Sequence, residues 1–357
     1  MAIRGLAWLL AAVASCAVAA GSVTPAADAA ASHARKTSAL VAAGDAEGLG
    51  RRLATLKADS ALTEADREKL LRSALLELAA LKADEDTRAL AATYQDYPST
   101  AFVWRDEHGH PEPVVLHDVG AAARFALRRW AETDARDETL VALARADANP
   151  LAGYDTATAA ARKGMAEAYA EAPAGDLAAQ RPALLAALEA GQPVGGPALT
   201  AAERLADAGL YEAVLRLADA RTALDAVQQL DDGPEQVDAL PLLIQAAARP
   251  DTASAALLAL GRRSAADPAA AETLFERLGG PHGASAAAAL ARHADDRSLD
   301  HLARILRADG DELTRRHALL ALRLSQTPRA EALLAAFAGD ATMPPALRQE
   351  VPVWLRD

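Results

Sequence analysis

The sequence predicts an all-α fold: an α-solenoid of helical pairs with a small β-hairpin inserted near residues 101–117. Three observations predict it. A unit of about 30 residues recurs between Ser254 and Phe337, the signature of stacked repeats. Within each unit the apolar residues recur at helical spacing. The composition is 52% hydrophobic but only 4% aromatic, and much of the apolar content is alanine. Alanine is the best helix former, whereas β-branched and aromatic residues favour sheets.

The amino terminus reads as an export signal. Met1–Arg4 is a short basic start, Gly5–Ala20 is an uncharged apolar run, and Ala17-Val18-Ala19 offers small residues for cleavage. The run is about 16 residues, shorter than the ~20 a spanning helix needs. Val13-Ala14-Ser15-Cys16 resembles the lipobox of bacterial lipoproteins, which would acylate Cys16, the single cysteine. The expected organisation is a signal peptide over 1–20, a flexible linker over 21–37, amino-terminal helical repeats over 38–195 and carboxy-terminal repeats with a cap over 198–357. The mature chain is expected to be periplasmic or envelope-associated, and at the membrane only if lipidated.

Helices begin near Ser38. Thr63 is a candidate N-cap for a helix whose stripe is Leu70, Leu71, Leu75, Leu78 and Leu81, ending near Lys82. A second covers about Glu85 to Thr93. Two β-rich runs, Ala101–Arg105 and Val114–His117, then flank a polar loop containing Gly109, Pro111 and Pro113. Helices follow at about Val119–Glu132, Glu138–Arg145, 155–171 and 176–190. Gly191–Pro197 is the best internal boundary, and Thr200 with Glu203 reads as a capping box. The pairs up to Leu230 are tetratricopeptide-like, and Asp231–Pro234 ends that block.

The regular repeats have first helices ending at Leu260, Leu290 and Leu322, and second helices closing on Leu278, Leu306 and Phe337. The breaks include Asp267-Pro268 and Thr327-Pro328, where a capping side chain precedes a proline suited to the first helical position. One pair has too little apolar surface to fold alone, so neighbours must stack. Met343–Trp354 reads as a capping helix. The runs Asp296–Leu302, Ala318–Leu322 and Asp118–Leu127 resemble HEAT-type repeats, in particular the short variant found in phycobilisome lyases. The resemblance covers about the last hundred residues and the 118–145 region, and it implies a binding scaffold. No lyase-specific catalytic set is recognisable, so lyase activity does not carry over.

The formal charge of −12 excludes a nucleic-acid binder and fits solubility or a basic partner. No nucleophile elbow, phosphate loop or His-Glu-x-x-His motif is present. The sharpest polar cluster is Asp106, Glu107, His108, His110, Glu112, His117 and Asp118. On one extended strand His108 and His110 would share a face, as a divalent metal requires; the bland reading is a solvated loop, and no cofactor is expected. Tyr94, Tyr97, Phe102 and Trp104 cluster in a chain poor in aromatics, either as a local core or as a recognition patch. With Arg105, His108 and His110 they form the candidate partner-binding set. His317 falls on a Leu313/Leu320/Leu324 stripe as a satisfied semi-buried group, while Asp300, His301, Arg304 and Arg307 read as a solvated outer face. The expected function is a non-enzymatic scaffold for a protein or peptide. The alternatives are a metal-dependent or lyase-like enzyme using the hairpin histidines, and an envelope structural or assembly lipoprotein.

Overall fold

A computed structural model describes residues 25–107, 109–145, 148–233, 236–307, 311–340 and 351. Among them are seventeen helices and one two-stranded antiparallel sheet, so the fold is all-α with a small hairpin. The expected signal peptide, Cys16, His108 and all but Val351 of the expected capping helix lie outside the described residues. No described helix is long and apolar enough to cross a membrane. The chain divides into two compact units, one up to Ala131 and one from Glu132.

The first unit opens with α1 (Pro25–Ala43), so helix replaces most of the expected linker. The alanine content of that stretch favours helix over coil. Then come α2 (Ala46–Ala58), α3 (Glu64–Leu78) and α4 (Glu85–Ala92). Each has the N-cap its sequence offers. Asp45, Thr63 and Asp84 accept from the amides of Gly48, Asp66 and Thr87. Leu49, Leu53, Leu56, Leu71 and Leu75 fill the core. Strands β1 (Phe102–Glu107) and β2 (His110–Val115) form the hairpin. Helix α5 (Val119–Leu143) follows as one continuous element, where two helices broken near residue 133 were expected. Neither glycine nor proline occurs near residue 133, so nothing in that polar stretch breaks the helix. Trp130 on α5 is buried and donates its indole N–H to the Leu81 carbonyl at 2.9 Å.

The second unit holds the rest of α5 and α6 (Ala159–Glu171), α7 (Ala174–Glu189), α8 (Gly195–Leu205), α9 (Ala208–Leu217), α10 (Ala220–Asp232) and α11 (Ala239–Ala246). The repeating pairs are α12 (Pro250–Arg263) with α13 (Pro268–Arg277), α14 (Gly283–Arg292) with α15 (Asp296–Arg307), and α16 (Glu312–Ser325) with α17 (Pro328–Ala338). Helices α10, α12, α14 and α16 stack in succession, while α13 packs against both α12 and α14, and α15 against α16 and α17. Asp267, Asp295 and Thr327 cap the second helices through the amides of Ala269, Ser298 and Ala330. One core runs through the unit, closing on Leu278, Leu306 and Phe337.

Two expectations are corrected here. Helix α8 begins at Gly195, so Thr200 lies inside it and forms no capping box with Glu203. The start is set instead by packing: a Cβ at Gly195 would lie 3.0 Å from side-chain atoms of Ala218 and Thr222. Of the expected boundary stretch, residues 191–194 join α7 to α8 within one unit, and the rest opens α8. In α16 the buried stripe is Ala318, Leu319, Ala321 and Leu322, while Leu313 and Leu324 are exposed. His317 is nonetheless satisfied, its Nδ1 lying 2.7 Å from the Leu278 carbonyl.

Candidate functional site

The hairpin is built up from a buried carboxylate. Glu68 on α3 lies three residues before Leu71 on the core-facing stripe, and it is fully buried. Its Oε1 accepts the Thr100 amide at 2.6 Å, and its Oε2 accepts the Ala101 amide at 3.2 Å. Charge-assisted bonds of this kind are about twice as strong as neutral ones. The same segment is tied at its other end, where Ser99 Oγ accepts the Val119 amide at 3.0 Å. Both legs of the hairpin thus start from fixed points. Glu68 was missed in the sequence, although a carboxylate in register with Leu71, Leu75 and Leu78 was a readable signal.

Above that base the hairpin stands in solvent. The register pairs Phe102 with Val115, Trp104 with Pro113, Arg105 with Glu112 and Glu107 with His110. Alternation then puts Phe102, Trp104, Asp106, Pro111, Pro113 and Val115 on one face. Trp104 is 65% exposed and Phe102 52%, and their rings meet edge to face at 5.8 Å. An apolar, aromatic face of this kind in water is unusual for a chain with so few aromatics.

The expected aromatic cluster therefore splits. Tyr94 is buried and stacks on the half-buried Tyr97 with centroids 6.2 Å apart. Burial raises both phenols above their usual range. Lys57 lies over the Tyr97 ring at 5.6 Å. These two tyrosines belong to the unit's core, and only Phe102 and Trp104 are presented.

Of the histidine pair, only His110 is among the described residues: it opens β2, after β1 has ended at Glu107, with Gly109 before it at φ +84°. The residues expected to form a loop, Pro111 and Pro113, lie in β2. His110 and Arg105 sit on the face opposite Trp104. His117, half-buried at the hairpin's foot, has its pKa lowered by burial and by Arg72 and Lys69, which favours the neutral ring. No cluster of three or more metal-ligating side chains occurs among the described residues.

Apart from the hairpin, a concavity of about 820 Å³ opens between α13 and α15. It is lined by Phe275, Ile305, Glu272, Glu276 and Arg297 among others, with His301 stacked on Phe275 at 4.0 Å and 13°. His301 is thus not on a solvated face as expected. Burial, with help from Arg304 and Arg297, lowers its pKa. Arg307 likewise covers the Phe337 ring at 5.4 Å.

Compared with known proteins, the chain matches no family model and no curated protein.

Proposed function

We propose that this chain is an exported, non-enzymatic scaffold that binds a protein or peptide partner, using the hairpin of the first unit as its recognition element. In this reading the stacked pairs of the second unit are an α-solenoid of HEAT-like repeats. Met1–Ala20 directs export, and Cys16 is either removed with the leader or lipidated. The observation that carries the reading is the exposure of Trp104 and Phe102 on a hairpin whose base is held by a buried carboxylate. Water is a poor solvent for two aromatic rings, and ordering them before binding reduces the entropy a partner must overcome. Tryptophan is the residue type most enriched at interface hot spots.

The rival reading, a metal enzyme using the hairpin histidines, has no observation of comparable weight among the described residues. The test is recovery of a specific envelope protein on immobilised chain, compared with a Phe102→Ala/Trp104→Ala variant of unchanged circular dichroism. Recovery should fall about tenfold or more. Equal recovery by both would remove the hairpin from the function.

A further inference from the structure

The two edges of the hairpin are not equivalent. In an antiparallel ladder, opposed residues alternate between pairs that exchange both backbone hydrogen bonds and pairs whose amides and carbonyls point outward. The Leu116 amide donates to the Ala101 carbonyl at 2.8 Å, which marks Ala101 and Leu116 as a bonded pair. Counting along the register, Val103 with Val114, Arg105 with Glu112 and Glu107 with His110 are bonded pairs too. The outward groups are therefore those of Phe102, Trp104 and Asp106 on β1, and of Pro111, Pro113 and Val115 on β2.

On β2 two of the three outward positions are prolines. Proline has no N–H to offer, so that edge cannot template a further strand. The placement also explains how two prolines lie in a strand without breaking its ladder. On β1 the outward amides of Phe102, Trp104 and Asp106 are all present, and the sheet has no third strand among the described residues. All three residues are solvent-exposed. One edge is closed and the other is open, and the open edge carries the two exposed aromatic rings.

We propose that the outer edge of β1 is a strand-addition site for an extended segment of a foreign polypeptide. Backbone hydrogen bonds to Phe102, Trp104 and Asp106 would hold it, and alternate side chains would set its specificity. The segment has apolar residues beside Phe102 and Trp104 and a basic residue beside Asp106. Charge complementarity selects a foreign basic segment over a second copy, since two chains of formal charge −12 repel. This inference rests on the hairpin being the recognition element, and adds which of its atoms do the recognising.

The test uses the full chain and a capped peptide of about eight residues with valine, valine and lysine at successive alternate positions, to lie beside Phe102, Trp104 and Asp106, and threonine between them. Amide exchange by NMR should show the Phe102, Trp104 and Asp106 amides open in the free protein and protected about tenfold or more with peptide. Two N-methylated peptides, blocked at one or the other set of alternate nitrogens, should differ: one binds and the other does not. Binding by both, or no protection at the three amides, overturns the proposal. Trp104→Ala should weaken binding severalfold and Trp104→Pro about tenfold further, the proline removing only an outward amide. Equal loss in the two variants leaves side-chain recognition and overturns the edge; no loss in either overturns the hairpin as the recognition element. If Trp104→Pro loses the protection of Val103 and Arg105, its ladder is broken and the N-methylated peptides decide. Protection of the three amides by self-association without peptide would replace the foreign segment with a second copy.

Discussion

A carboxylate removed from water must be compensated by donors, and Glu68 has them in the Thr100 and Ala101 amides. Glu68→Ala leaves both amides at the hairpin's base without that acceptor, and should lower stability by about 3 kcal/mol in urea unfolding. Glu68→Gln keeps the size and one acceptor oxygen, so it should lose less. His301 gives a pH prediction of definite sign. Its folded pKa lies below the ordinary 6.5, so the unfolded chain binds the proton more readily. The contribution of the neutral ring is complete above 6.5 and declines as pH falls below it. Thermal midpoints should drop on acidification from pH 7 to 5, and His301→Phe, which keeps a ring on Phe275, should flatten that part of the profile. At this scale the sequence marked the aromatic cluster but could not divide it. Tyr94 and Trp104 differ only in which backbone carries them, a helix end facing the core or a strand projecting from it.

Helices with strong caps and regular spacing were legible because cap and stripe are local. Thr63, Asp267 and Thr327 each bond the amide such a cap should bond. What local signals could not supply was contact between elements. The polar stretch near residue 133 lies within one helix, and the prolines of β2 imitate a loop because ladder geometry, invisible in the sequence, decides whether a proline is tolerated. Gly261 makes the same point quantitatively. In an isolated helix alanine is better than glycine by about 1 kcal/mol. Here a Cβ would lie 2.8 Å from Ala289 Cβ and 3.0 Å from the Ala289 carbonyl oxygen, against the backbone of α14. Gly261→Ala should therefore destabilise, by about 1 kcal/mol net once the overpacking cost exceeds the propensity gain. Gly175 in α7 has nothing within 4 Å of its Cβ position, and Gly175→Ala should stabilise by about 0.5 kcal/mol. Opposite signs in parallel melts would establish that interhelix approach, not helix propensity, sets the tolerance of these positions.

Across the molecule, the recurring unit was readable because each copy repeats the same caps and apolar steps. The division at Ala131 was not, because it falls inside continuous helix, whereas the glycine- and proline-rich stretch at 191–197 only turns the chain within one unit. The second unit adds a coupling between neighbouring pairs. Arg249 donates to the carbonyls of Leu215 and Ala218 at 2.8 Å each, Arg263 to Leu230 at 2.7 Å, and Arg204 to Ala172 at 3.0 Å. Each guanidinium closes exposed carbonyls at the end of a helix about one repeat earlier, where the helix dipole also favours a cation. In a stack whose stability is a sum of unit and neighbour terms, such joints decide whether the array unfolds in one step. Arg249→Ala removes both bonds at the α9–α12 joint and should cost about 2 kcal/mol. The loss should be uneven, with the pairs on the two sides of the joint melting separately. The expected result is a lower urea midpoint with a reduced m-value, because less surface is exposed in each step. A lower midpoint with an unchanged m-value would instead show that hydrophobic stacking alone keeps the second unit cooperative, and that these arginines add stability without coupling.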